Sequence, residues 1–143
     1  MDVDVTLSFF GRTEEAVKFY VEAIDAECIH LTRFGNALGN FKFVPELGDK
    51  IFHATMLVGS TRIMASDVGC DGDGSDQSKL DFAGFALAIS VEDTDQAERF
   101  FTRLSAGGKV QVPMTETFFA ARYGIVTDQF GVTWKVILEK VLQ

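Results

Sequence analysis

Apolar and polar positions alternate near the end of the chain with the period of a strand. Val132, Trp134, Val136 and Leu138 are interleaved with Thr133, Lys135 and Ile137. Asp128 to Gly131 stands just before them and reads as a tight turn. The aspartate can accept bonds from nearby backbone amides, and the glycine can take positive φ. Tyr123 to Leu138 is therefore expected as a hairpin. A different period governs Thr13 to Ile24. Ala16, Val17, Tyr20, Val21 and Ile24 fall on one face at helical spacing. Thr13 is an N-cap candidate, and Glu14 and Glu15 occupy the first turn, where the helix dipole favours negative charge. Strands are expected on either side, over Val3 to Phe10 and Ala26 to Phe34. Gly35 to Lys50, which contains Pro45, reads as a surface loop. Ile51 to Val58 and Arg62 to Asp67 form a second hairpin around Gly59-Ser60. Its register sets Leu57 opposite Arg62, Thr55 opposite Met64 and His53 opposite Ser66.

After a polar, glycine-rich stretch from Val68 to Asp81 the pattern restarts. Gly84 to Val91 is strand-like. Asp93 or Thr94 caps a helix with apolar positions Ala97, Phe100, Phe101 and Leu104, and Gly107-Gly108 ends it. Lys109 to Met114 is a strand, Thr117 to Arg122 a strand or loop, and the last hairpin closes the unit. TEEAVKFY at Thr13 to Tyr20 lies over TDQAERFF at Thr94 to Phe101 without a gap, 81 residues further on. The order of elements repeats with the residues, as it does when one unit is stacked on a copy of itself. The expected organisation is a first βαβββ module over residues 1–67, a linker over 68–81 and a second module over 82–143. Together they make one structural domain of α+β class.

Composition narrows the function classes. The chain of 143 residues can bury a core without staples, and 47% hydrophobic against 24% charged residues marks it as globular. A net charge of −8 argues against nucleic acid and anionic membrane surfaces as partners. No apolar run approaches the roughly 20 residues of a membrane span. The acidic start MDVDV lacks the basic region of a signal peptide. Cys28 and Cys70 have no metal-ligand spacing, which suits a cytoplasmic protein. Asp71, Asp73 and Ser75 have a calcium-loop spacing. Asp76 stands where that loop needs glycine and Phe82 where it needs glutamate, so a solvated linker is expected. No GxSxG, HExxH, P-loop or dinucleotide fingerprint is present.

Four stretches, LSFFGRTEEAVKFY, HATMLVGSTRIMASD, GFALAIS and ETFFAARYGIVTDQFGVTW, cover nearly the whole chain. In that order they resemble the vicinal oxygen chelate superfamily, which includes glyoxalase I, extradiol dioxygenases and fosfomycin- and bleomycin-resistance proteins. Within it the chain is similar to the PhnB-like branch, labelled 3-demethylubiquinone 3-methyltransferase-like. The resemblance implies two tandem βαβββ modules in a curved sheet, a concave cavity under each module, and a homodimer. Metal-dependent members place His, Glu or Gln ligands on the first and last strand of each module. By the motif alignment those places fall on Val5, Met64, Ala86 (or Phe85) and Lys135. None is a good ligand for a divalent ion. The methyltransferase label needs a glycine-rich strand-to-helix turn for its donor, and the sequence supplies none.

With Val5 and Met64 facing the cavity, strand parity brings in Leu7, Phe9, Thr55, Arg62, Ser66 and His53. Ala88, Ser90, Thr133, Lys135 and Ile137 line the second module, with Phe9, Phe118 and Phe119 as walls. His53 is the best candidate for an acid, base or ligand. Lys135 reads either as a solvated strand lysine or, if buried in the pocket, as an anion anchor or a lowered-pKa amine. His30 has no nameable partner, Asp67 either caps a turn or acts as acid or base, and Glu116 and Arg122 are a pocket-mouth pair or an exposed loop pair. The candidate ligand-binding set is thus His53, Arg62, Met64, Phe9, Phe119 and Lys135. Two functions fit. One is a module that binds a small organic molecule with no cofactor. The other is a divergent lyase, isomerase or transferase that recruits a divalent metal through His53, Asp67 or Glu116.

Overall fold

The helix forms where the apolar spacing expects it: α1 spans Thr13–Ile24 and buries Ala16, Val17, Tyr20, Ala23 and Ile24. The computed structural model describes residues 1–36, 47–70 and 76–141. Residues 37–46 of the Pro45 loop and the Asp71, Asp73 and Ser75 spacing lie outside the described residues. The chain divides into two compact units, Met1–Leu80 and Asp81–Gln143.

In the first unit, β1 (Val5–Ser8) precedes α1, and β2 (Glu27–Arg33), β3 (Ile51–Val58) and β4 (Thr61–Ser66) follow it. The strand order is β1-β4-β3-β2. β1 runs parallel to β4, while β3 pairs antiparallel with both of its neighbours. Leu57 stands opposite Arg62 and Thr55 opposite Met64, as the hairpin register requires. Gly59 turns that hairpin with φ of 59°. The core lies on the helix side of the sheet. Leu7, Phe9, Ala54, Met56, Ile63 and Ala65 are buried there with the apolar face of α1. Each large side chain so covered contributes roughly 1.5–3 kcal/mol.

Thr13 is the first helical residue, not the cap, and Arg12 in the cap position makes no side-chain capping bond. Asp67 takes over that role from the end of β4. Its Oδ1 accepts from the Gly11 and Thr13 amides at 2.7 and 3.0 Å and from Thr13 Oγ1 at 2.6 Å. Its Oδ2 accepts from the Ile51 amide at 2.9 Å. One buried carboxylate thus satisfies the open helix end and ties it to two strands.

Arg33 closes the other side of α1. It donates through two nitrogens to Glu14, at 3.2 and 2.5 Å. That pairing holds the Glu14 carboxyl below its ordinary value of 4.5. A lowered folded-state pKa gives stability above the unfolded value that is lost as pH falls through the folded one. The pair is more than a third exposed on the Glu14 side, so solvent screening limits it to no more than about 1 kcal/mol. Glu14→Gln is expected to lower stability by that small amount at pH near 7 and to match the parent in acid. Urea unfolding at both pH values checks it.

The second unit repeats the topology. β5 (Leu87–Ser90), α2 (Thr94–Leu104), β6 (Lys109–Thr115), β7 (Ala120–Thr127) and β8 (Thr133–Glu139) form a sheet of order β5-β8-β7-β6. Two tandem βαβββ modules of α+β class result. Asp93 is the cap of α2. It accepts from the Gln96 amide at 2.7 Å, and Gln96 Oε1 returns a bond from the Glu92 amide at 2.8 Å. β7 begins at Ala120, so the segment read as strand or loop is loop over Thr117 to Phe119 and strand over Ala120 to Arg122. Asp128 builds the final turn. It accepts from the Phe130 and Val132 amides and, at 2.9 Å, from Trp134 Nε1. The described part of the stretch read as a linker packs on the first unit, where Gln77 donates to the Phe10 carbonyl and Lys79 to that of Gly69. No described helix is long and apolar enough to cross a membrane.

Candidate functional site

Each sheet has one face under its helix and one open face, and the strand registers assign the candidates within strands to a face. In the first unit Val5 pairs with Ile63 and Leu7 with Ala65, on the helix side. Thr6 and Ser8 stand beside Met64 and Ser66. The parity assigned to β1 from the sequence is therefore corrected. Val5 and Leu7 lie on the opposite side of the sheet from Met64. Phe9 is corrected with them: it is 0% exposed, with its ring 6.3 Å from that of Tyr20. A one-residue slip of register moves every side chain to the other face, and the apolar parity of β1 belongs to the core.

His53, Thr55, Arg62 and Met64 share the open face. Arg62 donates to Asp4 at 2.6 and 3.1 Å, so its charge is already matched. The Asp4 hydrogen bond and charge raise its pKa further. His53 Nε2 lies 3.1 Å from Thr55 Oγ1. His30 joins it, with the two rings 5.7 Å apart at 47°. Thr32 Oγ1 stands 2.7 Å from His30 Nε2. No alternation pattern announces this pairing, because β2 is irregular. Cys28 faces Met56, yet His30 faces Thr55, so Ile29 is an extra residue in the strand. That bulge turns His30 onto the side of His53.

In the second unit Ala88 pairs with Lys135, Ser90 with Ile137, and Ile125 with Lys135 from the other side. Trp134 and Val136 face the helix and are buried. Lys135 is therefore half-buried on the open face of an interior strand. Among the described residues it has no hydrogen-bond or ion-pair partner. Phe119, 45% exposed, meets Tyr123 edge-on at 5.4 Å, and Phe118 packs on it at 5.2 Å. Tyr123 pairs with Ile137, so this aromatic group borders the Lys135 face.

Three other candidates lie apart. Asp67 is 1% exposed and fully engaged in capping α1. Glu116 and Arg122 do not pair with each other. Glu116 meets Lys140 at 3.8 Å, and Arg122 donates to Glu98 of α2. A cleft of about 370 Å³ opens at the start of α1, lined by Arg12, Lys18 and Lys50 with Glu14, Glu15 and Asp49. Arg12 pairs with Glu15 there, and Lys50 donates to the Gly11 carbonyl. Glu14 is held by Arg33, which lies outside the lining.

The positions where the superfamily holds a metal can now be tested on their donors. Where β1 meets β4 on the open face, the residues are Thr6 and Met64. Of the motif-aligned positions, Val5 faces the helix and Ala86 and Phe85 precede β5; where β5 meets β8 the residues are Ala88 and Lys135. A methyl, a thioether, a neutral hydroxyl and an ammonium do not make a divalent-cation site. Among the described residues no three His, Cys, Asp or Glu side chains converge as metal ligands.

Tandem βαβββ modules with these sheet orders define the glyoxalase-like class of protein. The chain belongs to the Glyoxalase/Bleomycin resistance protein/Dioxygenase superfamily, whose family model matches residues 3–136. It is 30% identical, over an alignment of 151 residues, to protein YjdN of Escherichia coli, covering 98% of this chain and 97% of that one. The structure of protein PA1353 from Pseudomonas aeruginosa superposes with a TM-score of 0.78 at 31% identity, over 99% of both chains. A PhnB protein from Bacillus cereus shares the fold with a TM-score of 0.75 at 22% identity, over 96% of this chain and 99% of its own.

Proposed function

We propose that the protein binds a small organic molecule on the open faces of its sheets, without the divalent metal of its catalytic relatives. The observation that carries this reading is the pair of strand meetings at Thr6–Met64 and Ala88–Lys135. Neither position carries a carboxylate or an imidazole, while apolar, aromatic and hydroxyl side chains surround them. Such a surface suits a small molecule with an apolar body and few polar groups. The candidate contacts are His53, Arg62 and Met64 in the first unit, and Phe119 and Lys135 in the second. A homodimer in the cytoplasm belongs to the same reading. It rests on the superfamily and on two cysteines that form no disulfide, and sedimentation equilibrium checks the dimer.

A second reading has one observation in its favour. His30 and His53 stand as a cross-strand pair, and two imidazoles can recruit a borderline divalent ion. One experiment separates the two. Protein purified without a chelating tag is titrated with Ni²⁺, Zn²⁺, Mn²⁺ and Fe²⁺ while its unfolding midpoint is followed. The expected result is substoichiometric metal and no shift with any ion, followed by shifts with organic compounds, since only a ligand of the folded state raises the midpoint. Stoichiometric, tight metal that disappears in His53→Ala refutes the metal-free reading.

A further inference from the structure

Lys135 has an unusual position for a lysine. It sits in the middle of β8, an interior strand, with neighbours on both sides. Those neighbours are Ala88 and Ile125, and along the strand Thr133 and Ile137 share its face. None carries a charge. The nearest acid of the same parity on β8 is Glu139, four residues away, or about 13 Å along a strand. A half-buried ammonium without a counter-charge is unfavourable, and a strand lysine normally escapes by extending into water at an edge. β8 is not an edge. The aromatic group begins one residue pair away, at Tyr123 opposite Ile137, or about 7 Å along the strand. Thr127 and Thr133 add a hydroxyl pair, 3.0 Å apart, on the other side.

We infer that Lys135 is the anion anchor of the binding face, and that the ligand is an amphipathic organic acid. Its carboxylate, or a group of like charge, pairs with the ammonium, and its apolar ring lies toward Tyr123 and Phe119. This deepens the binding reading above and rests on it. Recognition is local, because a chain of net charge −8 does not draw anions from a distance. It depends on one short charge-assisted bond in a partly desolvated place.

A matched pair of probes tests it on the full chain: 2-naphthoate and 2-naphthamide, equal in shape and different in charge. Titration calorimetry is expected to show the acid binding about tenfold more tightly than the amide. In Lys135→Met the two affinities become equal, and in Lys135→Arg the preference persists. Circular dichroism of both variants shows whether the fold is intact, and the arginine variant keeps the test sound if the methionine variant is unstable. Equal binding of acid and amide to the parent overturns the anion anchor and leaves organic-ligand binding standing. So does a preference that survives Lys135→Met, since the anion then sits elsewhere. Binding of neither probe overturns the inference, while metal titration still judges the metal-free reading by itself.

Discussion

Asp67→Ala is expected to lower the stability of the protein by about 3–5 kcal/mol, read as a drop in the urea midpoint at constant slope. Alanine removes the acceptor for three backbone amides and one hydroxyl. Those donors stay where the fold puts them. The side chain is 1% exposed, so water cannot replace the lost oxygens without opening the structure. The penalty is the desolvation of several orphaned donors, in addition to the bonds themselves. It falls on the join between the α1 N-terminus, the start of β3 and the end of β4. Asp67→Asn keeps one acceptor oxygen and loses the charge, and an intermediate loss of about 2 kcal/mol is expected. A loss below about 1 kcal/mol for alanine would mean that the helix end is satisfied in some other way.

Gly108→Ala is the second large effect. A Cβ built there lies 2.3 Å from the Thr127 carbonyl oxygen and 2.9 Å from Asp128 Cα. Both atoms are backbone, and both belong to the turn that Asp128 stitches together. A flexible side chain could swing aside; this turn moves only by loosening the end of β7. Overpacking of this kind destabilises by about 2–4 kcal/mol. Gly59→Ala is the control. Its backbone is left-handed, at φ of 59°, unlike that of Gly108, but no atom lies within 4 Å of the added Cβ. That change is expected to lose only about 1 kcal/mol of stability. Equal losses at the two positions would rule out the steric account.

These two sites also show where sequence reasoning stops. The duplicated βαβββ order was readable because helical and strand periods differ, and because TEEAVKFY returns as TDQAERFF. Leu57 opposite Arg62 followed from a two-residue turn that permits only one register. The face of Lys135 was readable too, since Trp134 and Val136 on either side had to seek the core. Asp67 was not. Its partners at Gly11 and Thr13 lie 56 and 54 residues away, and no local pattern announces so distant a cap. Phe9 was misplaced for a different reason. Val5, Leu7 and Phe9 share an apolar parity, and that parity marks the side a helix covers, not the side a ligand meets. His30 was hidden by a single bulged residue at Ile29, which no alternation rule foresees.

The only tryptophan of the chain is Trp134, buried at 3% exposure and bonded through its indole nitrogen to Asp128. Its emission therefore reports the integrity of the second unit and is silent about the first. Cys70, buried at 8% exposure, gives the first unit a chemical clock once the exposed Cys28 has been labelled, since a covered thiol reacts only when its surroundings open. The natural sequence thus holds two independent gauges, one optical and one chemical. Coincident denaturation curves from the two describe a duplicated chain that melts as one cooperative body. Separated curves describe two ancestral halves that still fold on their own account.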